Sequence, residues 1–298
     1  MKGKGIFAID GQAVDPPWSL PPFDRGFLYG ESVFESMSGF GDHVFDLTRH
    51  MERLEFSASH LGLELPLAPD RMSVMIRSLV AAAGLERSHI RVFVTTGSGK
   101  GKPAWFTFVT EPEREWIEEV ERLVREGAAL MPAELGFTVR ETQPKWANYG
   151  RSARPIHRAI KQGFSDILWI NSEREVVEAS AANIFFIGRN GEQLELVTSP
   201  TRSGALEGTM RAWVMERLRE AGIKCDVATI YGEEIPRFDE AFLTSSLKGI
   251  IPVARIGTHK LNTCRTKSTF HELLRLFRAA LTRELGEPLD WISGQKQR

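Results

Sequence analysis

The chain has 298 residues, 42% of them hydrophobic, and a formal net charge of −1. That length accommodates two domains or one large one, and the near-neutral balance gives no electrostatic case for nucleic acid or an anionic membrane as partner. Two cysteines, Cys225 and Cys264, are too few for a disulfide framework or an all-cysteine zinc site.

In chain order, Ile6 to Ala13 has a strand-turn-strand pattern with Asp10-Gly11 as its hairpin signal. Leu47, Met51, Leu54, Ala58 and Leu61 recur at helical spacing, and Met72 to Ala83 repeats the pattern. Ile90 to Thr96 is a β-rich run, with Trp105 to Thr110 as its returning strand. A charged amphipathic helix carries Trp116, Ile117, Val120, Leu123 and Val124 on one face and stops at Gly127. The second half opens with a strand, followed by Lys145-Trp146-Ala147-Asn148-Tyr149. Ser152 to Gln162 reads as a helix with Pro155 near its start. Strands are expected at Ile167–Asn171, Val176–Glu178, Ile184–Ile187, Leu194–Thr198 and Ala241–Thr244, and helices at Thr209–Ala221 and Phe270–Leu285. The expectation is an α+β protein of two domains, residues 1–120 and a larger 121–298 that carries Lys145.

Several motifs carry no chemistry. Gly97-Ser98-Gly99-Lys100-Gly101-Lys102 leads through Pro103 into a strand, whereas a nucleotide loop must open a helix. The seven histidines form no HExxH, so no catalytic metal is expected. Ser180 and Ser203 lack the GxSxG elbow of a hydrolase. The N-terminus runs into too short an apolar stretch for a signal peptide, and no window approaches the roughly 18 apolar residues of a membrane helix. A cytoplasmic protein is expected.

Three features point to chemistry together. Lys145 stands beside Trp146 and Tyr149, and a lysine among hydrophobic neighbours loses part of its preference for the charged form and suits imine chemistry. Glu178 ends a short strand and is followed by small residues, Ala179-Ser180-Ala181-Ala182, then Asn183 and an apolar run. A pyridinium nitrogen would suit that carboxylate; an ion pair with an arginine would serve equally. Gly208-Thr209-Met210-Arg211 opens a helix, whose backbone N–H groups make a phosphate site or a plain cap. For Lys145 alone, a surface lysine is the alternative.

Together these residues resemble the class IV aminotransferases, the fold-type IV enzymes of pyridoxal 5'-phosphate (PLP). That family holds branched-chain and D-amino-acid aminotransferases and aminodeoxychorismate lyase. The similarity runs from about Phe23 to Val253. It is carried by Phe23-Asp24-Arg25-Gly26-Phe27-Leu28-Tyr29-Gly30-Glu31-Ser32-Val33-Phe34-Glu35, His50-Met51-Glu52-Arg53-Leu54, Glu178 to Phe185, Gly208 to Arg211 and Phe242 to Val253, in the family's order.

The resemblance implies two α/β domains with PLP between them, in a D-amino-acid-aminotransferase-like fold, and a homodimer. It implies that Lys145 holds PLP as an imine and moves the substrate proton. Tyr149 would hydrogen-bond the phenolic oxygen and Glu178 the ring nitrogen. Arg53, Thr209, Met210 and Ser246 would hold the phosphate, with Asn183, Gly208 and Ser245 among the other cofactor contacts. Tyr29, Phe34 and Arg91 would line the substrate side. The family's usual Gly-Ile-Thr-Arg is Gly208-Thr209-Met210-Arg211 here, which shifts the threonine by one position, and Ser245-Ser246-Leu247 replaces its Ser/Gly-Thr-Ala/Ser. Met210, Ala181-Ala182-Asn183 and Leu247 lean toward the lyase branch, whereas Arg91 leans toward the aminotransferases. The expected reaction is amino transfer from a branched-chain-like amino acid to a 2-oxo acid. The alternative is aminodeoxychorismate lyase, which releases pyruvate and 4-aminobenzoate; a degenerate PLP-binding protein is the non-enzymatic reading.

Overall fold

The computed structural model describes residues 4–16, 19–98, 102–286 and 291. The middle of the Gly97–Lys102 loop lies outside them. Two compact units make up the chain: Met1–Ile117 with Pro144–Tyr149, and Glu118–Gln143 with Gly150–Ile292. Pro144–Tyr149, inside the span expected for a C-terminal domain, thus belongs with the first unit.

In the first unit, β1 (Gly5–Ile9) and β2 (Gln12–Ala13) are joined by Asp10 and Gly11. Both have positive φ, 48° and 78°, as the two central residues of a type I′ hairpin require. α1 (Arg25–Tyr29) is capped by Asp24, whose Oδ1 accepts from the Gly26 N–H at 2.8 Å. β3 (Ser32–Phe40), β4 (His43–Val44), α2 (Leu47–Ser59), α3 (Pro69–Ala83), β5 (Arg87–Thr95) and β6 (Ala104–Thr110) follow. The antiparallel sheet runs β2-β1-β6-β5-β3-β4. One face is sealed by α2 and α3. Leu47, Met51, Leu54 and Ala58 of α2 and Met72, Ile76 and Val80 of α3 pack on Val33 and Met37 of β3 and on Ile90, Val92 and Val94 of β5. β3 is buried on both faces, so it lacks the apolar/polar alternation that marks a half-buried strand. On the opposite face the rings of Phe34 and Phe93 stack at 5.3 Å, and Phe108 stands edge-on to Phe93 at 6.0 Å.

α4 (Arg114–Glu126) carries the chain onward and ends at Gly127, whose φ of 82° no longer fits a helix. The second unit contains β7 (Ala128–Glu134), α5 (Gly150–Lys161), β8 (Asp166–Ile170), β9 (Val176–Ala179), β10 (Asn183–Asn190), β11 (Gln193–Thr198), α6 (Thr209–Glu220), β12 (Asp226–Val227), β13 (Glu240–Ser245), β14 (Gly249–Ile256), β15 (His259–Lys260) and α7 (Thr269–Leu285). Its sheet runs β12-β11-β10-β13-β14-β7-β8-β9, with β15 paired to β14. The β11–β12, β14–β7 and β7–β8 pairs are parallel and the rest antiparallel. Phe185 stacks on Phe242 at 4.9 Å, and Phe270 and Phe277 of α7 close over Phe242. No helix among the described residues is long and apolar enough to cross a membrane.

Candidate active site

Lys145 is half-buried in the first unit, and both its backbone groups are held. Its N–H donates to Ser57 Oγ at 3.0 Å, and its carbonyl accepts from the Phe34 N–H at 3.1 Å. Trp146 bridges to Val33, and the Ala147 N–H donates to the Ser32 carbonyl at 3.0 Å. The segment is therefore laid along the start of β3 with α2 beside it. Lys145 Nζ lies 4.6 Å from the centre of the Phe34 ring, within cation–π range. Tyr149 meets the same ring edge-on at 5.7 Å. Three expected residues, Lys145, Tyr149 and Phe34, are thus brought together.

Arg53 is buried, and its Nε and Nη2 donate to the two carboxylate oxygens of Glu35, each at 2.7 Å. His50 Nδ1 lies 2.7 Å from Glu35 Oε2. Burial opposes ionisation of Glu35, but the charges and hydrogen bonds of Arg53 and His50 outweigh it and hold the carboxyl well below its usual range. His50 is pushed down by burial, against the pull of Glu35, with Arg53 and Lys145 adding to the depression. One edge of the Arg53 guanidinium, Nε and Nη2, is therefore committed to a carboxylate partner that the sequence motifs did not assign to it. Both partners do lie inside quoted motifs, and His50, Arg53 and Ser57 recur at i, i+3 and i+7. Such a polar stripe on the buried side of a helix is the signal that could have found His50 and Ser57.

In the second unit, Glu178 Oε2 accepts from Asn183 Nδ2 at 2.9 Å and from the Leu206 N–H at 3.1 Å. Asn183 Nδ2 also donates to the Leu206 carbonyl at 2.9 Å. Buried Asn183 thus locks the carboxylate to the loop before α6. Gly208 caps α6 with an ordinary φ of −72°, yet a Cβ there would lie 1.9 Å from Asn183 Oδ1. Glycine is required by that close approach and not by backbone conformation. Thr209 Oγ1 and Ser246 Oγ are 2.9 Å apart, which joins two of the expected phosphate residues at the start of α6. Met210 is 2% exposed and packs inward, leaving its backbone as the part that could serve a ligand. Ser245 ends β13. Arg211 is buried, with Nη2 donating to the Ser199 carbonyl at 3.1 Å.

Tyr29 lies on α1 and Arg91 on β5. Tyr29 is 65% exposed, with the Arg25 guanidinium 4.8 Å above its ring. Arg91 is exposed on β5, paired across to Ser36 and Phe108, and strand alternation sets it on the Phe93 face.

The sequence profile of the family Amino-transferase class IV matches residues 32–256. A putative branched-chain-amino-acid aminotransferase of Methanocaldococcus jannaschii is 27% identical over 92% of this chain and 96% of its own length. The aminodeoxychorismate lyase of Bacillus subtilis is 26% identical over 80% of this chain and 81% of its own. Among solved structures, the PLP-bound form of a hypothetical aminotransferase from Mycobacterium tuberculosis superposes with a TM-score of 0.80 at 19% identity, covering 94% of this chain and 99% of that one. With the family match spanning most of the chain, from β3 through β14, the protein belongs to the class IV aminotransferases.

Proposed function

We propose that this enzyme is a PLP-dependent aminotransferase that moves the amino group of a branched-chain-like amino acid to a 2-oxo acid. The observation that carries the reading is Lys145: a half-buried lysine, held at both backbone groups, with its amine over an aromatic face. The residues present fit the cofactor. The Glu178 carboxylate, oriented by Asn183 and the Leu206 amide, suits a protonated ring nitrogen, since a charged hydrogen bond is worth roughly 1.5–3 kcal/mol. The start of α6, with Thr209, Ser246 and a glycine that keeps the approach open, suits a phosphate.

When bound, PLP supplies an electron sink for the substrate carbon. The protein's own residues do the rest. Lys145 holds the cofactor and carries the proton from the substrate carbon. Tyr149 would hydrogen-bond the phenolic oxygen, Glu178 would keep the ring nitrogen protonated, and Arg53 would add to the phosphate site. Tyr29, Phe34 and Arg91 form the substrate side, where Arg91 offers a bidentate partner for a carboxylate. Phe34 serves Lys145 as well.

The reading includes a homodimer in a reducing cytosol and two domains that divide near residue 120. The division of the compact units after Ile117 supports the two-domain part of it. Aminodeoxychorismate lyase is the second reading, favoured by the Bacillus subtilis relative and by Met210 and Leu247. A substrate panel separates them. An aminotransferase loses its visible absorption on mixing with an amino acid alone and regains it with 2-oxoglutarate or pyruvate. Pyruvate released from aminodeoxychorismate without any amino acceptor selects the lyase instead.

A further inference from the structure

We propose that Ser57 is a positioning residue for Lys145, acting through the lysine's backbone amide; the proposal rests on the reading that Lys145 holds the cofactor. Ser57 sits on α2 one turn beyond Arg53 and is fully buried. Its Oγ accepts the Lys145 N–H at 3.0 Å, across 88 residues of sequence. The opposite side of the same residue is held by β3, where the Phe34 N–H donates to the Lys145 carbonyl at 3.1 Å. One lysine is thus clamped between a helix and a strand, and the amide clamp is a single side-chain oxygen.

Two consequences follow from that arrangement. The backbone of Lys145 sets the direction of its Cα–Cβ bond, and hence where Nζ comes to lie relative to Phe34, at present 4.6 Å from the ring centre. Removing the Ser57 oxygen also takes from the part-buried amide its hydrogen-bond acceptor on α2. The same face of α2 presents His50 and Arg53 to Glu35, so one helix face holds both the lysine and the arginine.

The test uses the PLP-loaded enzyme and four proteins: wild type, Ser57→Ala, Ser57→Thr and Met51→Ala. Met51 is a buried core residue of α2 and serves as a destabilised control. The pH midpoint of the visible imine band is measured beside kcat, KM and Tm. In Ser57→Ala the midpoint moves by at least about half a unit, and kcat falls about tenfold with KM little changed. Ser57→Thr, which keeps an acceptor oxygen, restores the wild-type midpoint. Met51→Ala lowers Tm but leaves the midpoint in place. Should Ser57→Ala not fold, Ser57→Cys, whose sulfur is a weaker acceptor, moves the midpoint in the same sense and by less. A wild-type midpoint in Ser57→Ala or Ser57→Cys, or an equal displacement in Met51→Ala, overturns the proposal. A wild type without any imine band overturns the cofactor reading instead.

Discussion

Arg53 and Glu35 form a two-point ion pair inside the first unit, Nε to Oε1 and Nη2 to Oε2, both at 2.7 Å. With Glu35 wholly out of solvent, the pair is a structural commitment as much as a functional one. Removing one charge from such a pair leaves the other buried and uncompensated, which costs about 3–5 kcal/mol.

Glu35→Gln is therefore expected to lose about that much unfolding free energy, measured by urea denaturation of the apoenzyme. The double variant Glu35→Leu with Arg53→Met, which removes both charges, is expected to be more stable than Glu35→Gln. A Glu35→Gln protein within about 1 kcal/mol of wild type would show that Arg53 finds another partner at no cost.

Acid should weaken the fold in a definite window. Burial, with help from the cationic Arg87 and Arg91, pushes His89 down to about 3, and its Nε2 has no hydrogen-bond partner among the described residues. The unfolded chain binds a proton at His89 below about pH 6.5, whereas the folded chain does so only near pH 3. The stability is complete above about pH 6.5 and is lost as pH falls toward the folded value. Between pH 7 and 5 this one histidine costs about 2 kcal/mol. His50, also depressed, acts in the same direction, as does Glu35 below about pH 4.5. His89→Phe is expected to flatten the pH dependence of urea unfolding by about 2 kcal/mol over that range. An unchanged slope would contradict the assignment.

Gly208→Ala tests the Asn183–Glu178 lock without touching either residue. The added Cβ would meet Asn183 Oδ1 at 1.9 Å, so Asn183 must move and take its hydrogen bond to Glu178 with it. PLP affinity, followed by fluorescence quenching on titration of the apoenzyme, is expected to fall at least about tenfold, or about 1.4 kcal/mol. The φ of −72° suits alanine, so an unchanged affinity would mean that the lock does not serve the cofactor.

Asn183→Ala should act in the same direction and more strongly, because the Asn183 Nδ2 donor to Glu178 is then removed outright. The Asn183→Ala and Gly208→Ala losses should not add, since both break one contact. Additive losses, measured on the double variant by the same titration, would separate the two effects.

Much of the architecture was legible from periodicity. α2, α3, α6 and α7 stand where apolar spacing put them, within a few residues at each end, and the Asp10-Gly11 hairpin adopts the turn that its residues demand. β3 was not legible as a strand. Both its faces are buried, so no alternation marks it, and the motif ending at Glu35 drew the eye to chemistry. β14 was hidden for a similar reason, inside the motif from Phe242 to Val253.

In the candidate site, Lys145, Tyr149, Glu178 and Thr209 stood out in the sequence because each lies in a short ordered motif. What joins them could not be seen there. The Lys145–Ser57 bond spans 88 residues and the Arg53–Glu35 pair 18, and no local pattern encodes a partner at such distances. Glu178 offered two partners on paper, a ring nitrogen or an arginine. The fold adds Asn183, five residues on, by turning the chain between β9 and β10 so that both side chains meet the Leu206 loop. The return of Pro144–Tyr149 to the first unit was equally silent, because it is held by backbone hydrogen bonds to β3 that any residues could make.

The cofactor assignment rests on one atom, Lys145 Nζ. Borohydride reduction of the PLP-loaded protein, followed by proteolysis and mass spectrometry of the labelled peptide, locates the cofactor directly. A single pyridoxyl label on Lys145, and none on the Lys145→Ala variant, is expected. A label on another lysine, or a reducible imine that survives in Lys145→Ala, would contradict it.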